Sequence, residues 1–432
     1  MSKARSSALP AGASAAPGDA RMPESCKFPG ARASCPLSEE AGGTPALPDA
    51  CSSATFADAP PGGSSDDRLM RHRFGVNYVP SRNWYYCWND WHPDDIARDL
   101  DQVAVIGADH IRVMCIWPWF QPNPAIISTA HLDRLDEMLR LAAGRKLDVL
   151  VTLYNGWLSG YRFQPVTPEG ADYEKKSFYT SPKWQAMQDL YLEQISKRMA
   201  KHTNFMGFDI GNEIACCWAC EPSIGDPWME RVFQRMHELS PGRIHVNGMD
   251  HSPWFGVNTF SAESLMDQQN IVALHAWPFW TGAGKFGNPL EKPYTQLPAA
   301  MAALARSLGN APRKPVWIEE FGVCNVEMPA ADVPKWMELA VTGGVRQGIS
   351  YFTWWASHDI ARRFDFHPFE YDLGLITAEN KIKEPGRMFK RLAEAYRGKA
   401  VVVPDKPLPP PPAERGQDAA WRWLLDFMEW KK

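Results

Sequence analysis

From residue 72 onward the chain alternates between two hydrophobic rhythms. Short apolar runs bounded by polar or small residues mark strands at 72–79, Asp109–Trp117, Leu147–Tyr154, Phe205–Glu213, Arg243–Met249, Asn270–Trp277, Pro315–Phe321 and Ile349–Trp355. The segments between them are apolar at helical spacing. In 94–106 the stripe is Ile96, Leu100 and Val103; in 131–145 it is Leu132, Leu135, Met138, Leu139 and Ala142. Ser181-Pro182 opens a further helix at 183–201, an N-cap followed by proline in the first turn. Eight strand–helix units in about 330 residues predict an α/β fold, a (β/α)8 TIM barrel with long loops at its C-terminal face. A doubly wound open sheet would carry a Gly-rich phosphate loop after the first strand, and none is present.

The fourth run, Phe205-Met-Gly-Phe-Asp-Ile-Gly-Asn-Glu213, ends in two polar side chains. Strict alternation that turns Glu213 inward puts Gly211, Asp209 and Gly207 on its side. Ile210, Phe208 and Met206 then face the covering helices. Small and polar residues inside, apolar ones outside, suit a barrel strand that delivers its last side chains to a pocket.

Beyond the expected barrel at 71–400, composition changes. Residues 1–70 are rich in Ala, Pro, Ser and Gly and read as a disordered tail. Residues 401–432 read as a proline-rich extended linker and a short helix from about 417 to 430. Trp421, Leu424, Leu425 and Met428 share one face of that helix, which is expected to dock on the same barrel. A net charge of -4 without a basic stripe argues against nucleic acid or an anionic membrane as partner. No apolar run suits a signal peptide or a spanning helix, and nine cysteines, an odd number, fit a reducing compartment. The expectation is a cytoplasmic protein; its oligomeric state leaves no mark in the sequence. Many of the 19 tryptophans fall just after strands, among them Trp84, Trp117, Trp157, Trp277, Trp280, Trp354 and Trp355. Flat aromatic faces beside a pocket suit sugar rings.

In such a barrel the chemistry sits at the C-terminal strand ends. Glu213 ends the fourth strand and Glu319-Glu320 ends the seventh. Two carboxylic acids converging from nearly opposite strands suit retaining glycoside hydrolysis, which needs an acid/base and a nucleophile about 5–5.5 Å apart. Adjacent strand residues point to opposite sides, so alternation leaves both Glu319 and Glu320 open. Cys216-Cys217-Trp218-Ala219-Cys220 lacks the second pair of a structural zinc site, and these thiols, with Cys87 and Cys324, read as incidental. Neither a metal nor a cofactor is expected.

Asn212-Glu213, Glu320-Phe-Gly322, Arg112 on the second strand, His275 on the sixth and Trp354 on the eighth, in that arrangement, resemble the clan of (β/α)8 retaining glycosidases that contains family 5. The resemblance spans about residues 72–395. It implies Glu213 as acid/base, Glu320 as nucleophile, Asn212 on the sugar's 2-hydroxyl and Arg112 beneath the nucleophile, with Glu319 as the fallback. The family usually has His-x-Tyr on the sixth strand, its tyrosine bonding the nucleophile; here His275-Ala276-Trp277 leaves that role unassigned.

Phe74-Gly-Val-Asn-Tyr-Val-Pro-Ser81, Trp117-Pro-Trp-Phe-Gln-Pro122, Trp354-Trp-Ala-Ser-His-Asp359 and Glu370-Tyr-Asp-Leu-Gly-Leu375 are similar to a narrower bacterial β-mannosidase branch. That branch acts on the mannosyl-β-1,4-N-acetylglucosamine unit of N-glycan cores, so an oligosaccharide is the expected partner. Exo action would use the long loops to wall off a one-sugar pocket. Trp277 and Trp354 are then expected as the sugar platform, His358 and Asp359 as the grip on its far hydroxyls, and Asn155 with Trp157 as further contacts. An endo-acting β-mannanase or β-glucanase, and an inactive carbohydrate-binding barrel, are the competing expectations.

Overall fold

The computed structural model describes residues 65–170 and 173–431. The expected tail therefore lies outside the described residues up to 64. Its last part is ordered: Ser65–Leu69 form one turn of helix, and buried Leu69 joins the apolar cluster inside the barrel.

Seven parallel strands make the sheet: β1 (Arg73–Asn77), β2 (His110–Ile116), β3 (Asp148–Asn155), β4 (Phe205–Asp209), β5 (Val272–Ala276), β6 (Val316–Phe321) and β7 (Tyr351–Trp354). Their order is β4-β3-β2-β1-β7-β6-β5. The gap between β4 and β5 is filled by the expected fifth strand, though not as a regular ladder. The amides of Ile244 and Val246 donate to Met206 O and Phe208 O, and single bridges join Val246 to Asp209 and Met249 to Leu274. The ladder breaks where the amide of Asn247 turns to the side chain of Gln269. Helices cover the outside, among them Pro93–Val105, Thr129–Ala143 and Pro182–Met199 at the positions the apolar stripes predict. Inside, Leu150, Met206, Val246, Ala273, Trp317 and Tyr351 pack into one layer, so the barrel is a filled core.

Two irregularities decide which side chains reach the upper end. Against β3, Val149 pairs with Phe205 but Leu150 with Gly207, so Met206 is an extra residue. Gly207 has φ +154°, and a Cβ there would lie 1.5 Å from Ile244 O. Strict alternation is therefore right for Asp209 inside and wrong for Met206, which the bulge also turns inward. On β6, Ile318 pairs with Leu274 and Glu320 with His275, which makes Glu319 the extra residue. Both glutamates consequently face the barrel interior.

The C-terminal helix, Gln417–Phe427, packs on the barrel's outer layer. Trp421 is buried, its indole N–H donates to Thr281 O (2.7 Å), and its ring stacks on Phe286 at 4.6 Å. The proline-rich segment before it is tied down where Ser307 Oγ donates to Pro409 O. Among the described residues no helix is long and apolar enough to cross a membrane.

Candidate active site

Arg112, on β2, is the hub of the upper barrel. Fully buried, its guanidinium donates to Glu320 Oε1 (2.6 Å), Asp209 Oδ2 (2.6 and 3.1 Å), Asn212 Oδ1 (3.0 Å) and Asn77 Oδ1 (3.1 Å). Glu319 Oε1 lies 3.3 Å from its Nε. One buried cation faces three carboxylates, which hold it firmly protonated despite its desolvation. Asp209 also accepts from Thr152 and from the amides of Gly211 and Gly248, so its acceptor capacity is used within the protein.

β4 ends at Asp209, and the chain then turns. Glu213 sits in the left-handed region at φ +46°, where a non-glycine residue is strained, and caps a short 3-10 turn. The turn lets the adjacent Asn212 and Glu213 both serve the pocket, which an extended strand would forbid. His275, at the upper end of β5, lies among three acids. Its Nδ1 is 2.9 Å from Glu213 Oε1 and 3.5 Å from Glu320 Oε2, and its Nε2 is 3.2 Å from Glu319 Oε2. Oxygens of Glu213 and Glu320 and a nitrogen of His275 all lie within 4.8 Å of one another.

With a carboxylate at each nitrogen, His275 is an imidazolium. Burial opposes that charge, but Glu320, Glu213 and Glu319 together push its pKa up to about 10. Burial raises Glu320 and Glu319 above the usual carboxylate range, Arg112 and His275 only partly countering it. Burial also acts on Glu213, but there the hydrogen bond and charge of His275 prevail and lower it. Protons in such a cluster belong to the group, and their position shifts between His275 and its acids. The two adjacent glutamates differ in access. Glu319 is sealed beneath His275 and Arg112, whereas Glu320 keeps an opening and takes the indole N–H of Trp277 at 3.3 Å. That bond fills the place left by the missing tyrosine of the sixth strand.

A family model, Cellulase (glycosyl hydrolase family 5), matches residues 73–359. The chain belongs to glycosyl hydrolase family 5. It is a glycoside hydrolase on a TIM barrel, and its relatives include mannan endo-1,4-beta-mannosidases. A variant of GH5_18 from Streptomyces cattleya, solved in complex with Manβ1-4GlcNAc, is 28% identical with a TM-score of 0.74 over 83% of this chain and 91% of that one. Mannan endo-1,4-beta-mannosidase A of Podospora anserina is 21% identical over 68% of this chain and 83% of that relative. The fold is shared with the exo-beta-1,4-mannosidase of Opitutaceae bacterium strain TAV5, at 24% identity and a TM-score of 0.66 over 78% of this chain and 61% of that one.

Of the expected site residues, this family 5 barrel brings together Arg112, Asn212, Glu213, His275, Trp277 and Glu320. Three others lie elsewhere. Trp354 faces outward, its ring 5.2 Å from Phe321 and 6.0 Å from Trp336 and its N–H on Leu373 O. Alternation on β7 explains the correction: Tyr351 and Thr353 point inward, so Trp354 points out. The next residue, Trp355, hydrogen-bonds Glu370 with its side chain. His358 is buried with Nδ1 on Ser357 Oγ and Nε2 on Asn380 Oδ1, so neither nitrogen is offered to a sugar. Asp359 pairs with Lys383 (2.7 Å), accepts from the Gly374 amide, and borders a separate cavity of about 130 Å³ behind Trp354. Both residues fasten the return loop after β7. Asn155 is fully buried, and neither atom of its amide has a partner among the described residues. The carbonyl of Trp157 takes the Nδ2 of Asn212.

Sequence reasoning missed Asn77, whose amide ties Arg112 to Glu319 O, and Asp209, which alternation had already turned inward without assigning it a task. The Cys216 thiol lies 3.9 Å from Glu213 Oε2, Cys217 donates to Gly156 O, and burial raises both thiols.

Three loops lock together over one side of the mouth. Tyr161, in the hairpin 157–162, donates to Asp365 O, and Arg363 donates to Arg82 O. Phe366 sits edge-on to Trp84 (4.7 Å) and Tyr161 (5.0 Å), and Phe364 stacks on Tyr86 at 6.0 Å.

Proposed function

We propose that this family 5 hydrolase is a retaining exo-β-mannosidase that releases terminal β-linked mannose, with mannosyl-β-1,4-N-acetylglucosamine from N-glycan cores as its substrate. The observation that carries the mechanism is the approach of Glu213 and Glu320 within 4.8 Å, which suits direct attack and leaves no room for the water of an inverting enzyme. The interlocked loops favour a one-sugar pocket over a through-going cleft. The mannoside rests on likeness to a protein solved with Manβ1-4GlcNAc.

In the first step a Glu320 oxygen bonds to the anomeric carbon as the glycosidic C–O bond breaks, and Glu213 gives its proton to the leaving oxygen. Glu213 receives that proton across the 2.9 Å contact with His275. Arg112 and the Trp277 N–H stabilise the carboxylate form of Glu320 and offset part of the effect of burial. In the second step Glu213 takes a proton from water, the water oxygen bonds to the anomeric carbon, and Glu320 leaves as carboxylate.

Glu213→Ala and Glu320→Ala are each expected to abolish turnover of an aryl β-mannoside. Azide should rescue Glu213→Ala as a β-mannosyl azide and Glu320→Ala as the inverted α-azide. Full activity in either variant overturns the assignment. Release of sugar from β-mannan polymer but not from aryl mannosides would favour the endo reading.

A further inference from the structure

The loop that returns after β7 carries a third carboxylic acid to the pocket, and the catalytic scheme does not use it. Glu370 is held from both sides. Phe369 packs on Phe279 at 4.4 Å and on Trp280 at 5.7 Å, while the Tyr371 hydroxyl donates to Phe364 O and accepts from the amide of Phe366. The carboxyl group accepts hydrogen bonds from the side chains of Ser159 and Trp355 and lies close enough to Glu320 and Glu213 to feel both charges. Burial first, then those two charges, push its pKa up to about 7.

Its Oε2 is buried and has no hydrogen-bond partner among the described residues. The same holds for the Tyr85 hydroxyl, which stands in the fields of Arg112, Glu320 and Glu370 alike. Folding takes Oε2 of Glu370 and the Tyr85 hydroxyl from water without giving either a partner among the described residues, and buried polar atoms are rarely left so unless something else binds them. A sugar, dense in hydroxyls, is what a glycosidase pocket offers.

Resting on the reading of the site as a glycosidase pocket, we infer that Glu370, flanked by Tyr85 and Ser159, binds the free hydroxyls at the non-reducing end of the terminal sugar and restricts the enzyme to chain ends. Glu213 and Glu320 take the anomeric end of the ring. The hydroxyls left for a group on the opposite loop are those remote from the scissile bond. The hairpin bearing Ser159 is fastened to the Glu370 loop by Tyr161 and Asp365, so that side is walled. In a β-1,4 chain an internal residue carries its next sugar on O4, which the wall excludes, whereas a terminal residue has a hydroxyl there to donate.

The test compares wild type, Glu370→Gln and Glu370→Ala on 4-nitrophenyl β-mannoside and on its 4-deoxy and 6-deoxy analogues. Wild type is expected to lose at least about tenfold in kcat/KM on one deoxy sugar, the scale of one hydrogen bond to a charged group. Glu370→Ala should lose a similar factor on the parent and then fail to discriminate between parent and analogue. Glu370→Gln, nearly isosteric, should fall between them and lose an ionisation near pH 7 from its kcat/KM profile. If both variants discriminate as wild type does, Glu370 does not bind those hydroxyls. If wild type turns over no aryl β-glycoside, the glycosidase reading fails and takes this one with it.

Discussion

Trp277→Phe isolates one hydrogen bond. Phenylalanine keeps a flat apolar ring at the position but removes the indole N–H that donates to Glu320 Oε2 at 3.3 Å. Hydrogen bonds to a charged group contribute about 1.5–3 kcal/mol, and the length of this one puts it near ~1.5 kcal/mol. The donor stabilises the ionised form of Glu320, so its loss raises a pKa that burial has already raised. With 1.36 kcal/mol per unit, the shift is about one unit upward. Initial rates on an aryl β-mannoside across pH should show the acid limb of kcat/KM moved up by about one unit. On that limb the loss is about tenfold, and it shrinks towards the alkaline plateau. A uniform fall at every pH would mean that Trp277 acts only as a sugar platform. An unchanged profile would remove it from the site altogether.

Other outcomes follow from the packing. Trp421→Ala empties a buried site on the barrel's outer layer and should cost about 3–5 kcal/mol in urea unfolding while kcat stays at the wild-type value; unchanged stability would mean the helix contributes little. Gly207→Ala should fail to yield soluble folded protein, because the added Cβ meets Ile244 O and the positive φ is unsuited to alanine; a normal melting curve would refute the bulge. Burial pushes half-buried Glu327 up from 4.5 to about 7. Its contribution to stability is therefore fully present below about pH 4.5 and is lost as pH rises towards 7. Glu327→Gln should remove that part of the decline, so melting temperatures of the two proteins that stay parallel between those limits would count against it.

What the sequence determined by itself was the barrel, through runs buried on both faces, and the identity of the acids at its upper end. Alternation was enough to turn Asp209 inward, and on β7 it also sets Trp354, which the resemblance alone had favoured, on the outer face. The tertiary structure decided the rest, because it depends on neighbours far away in sequence. The bulges at Met206 and Glu319 arise from pairing with other strands, and the second puts Glu319 and Glu320 on one side, where local periodicity allows only one. Asn380 and Lys383 engage His358 and Asp359 from a later turn, and Glu370 comes to the pocket on a loop with no pattern of its own. Hydrophobic periodicity is a local signal that reports burial; the partner of a buried polar group is chosen by long-range packing, which periodicity does not encode.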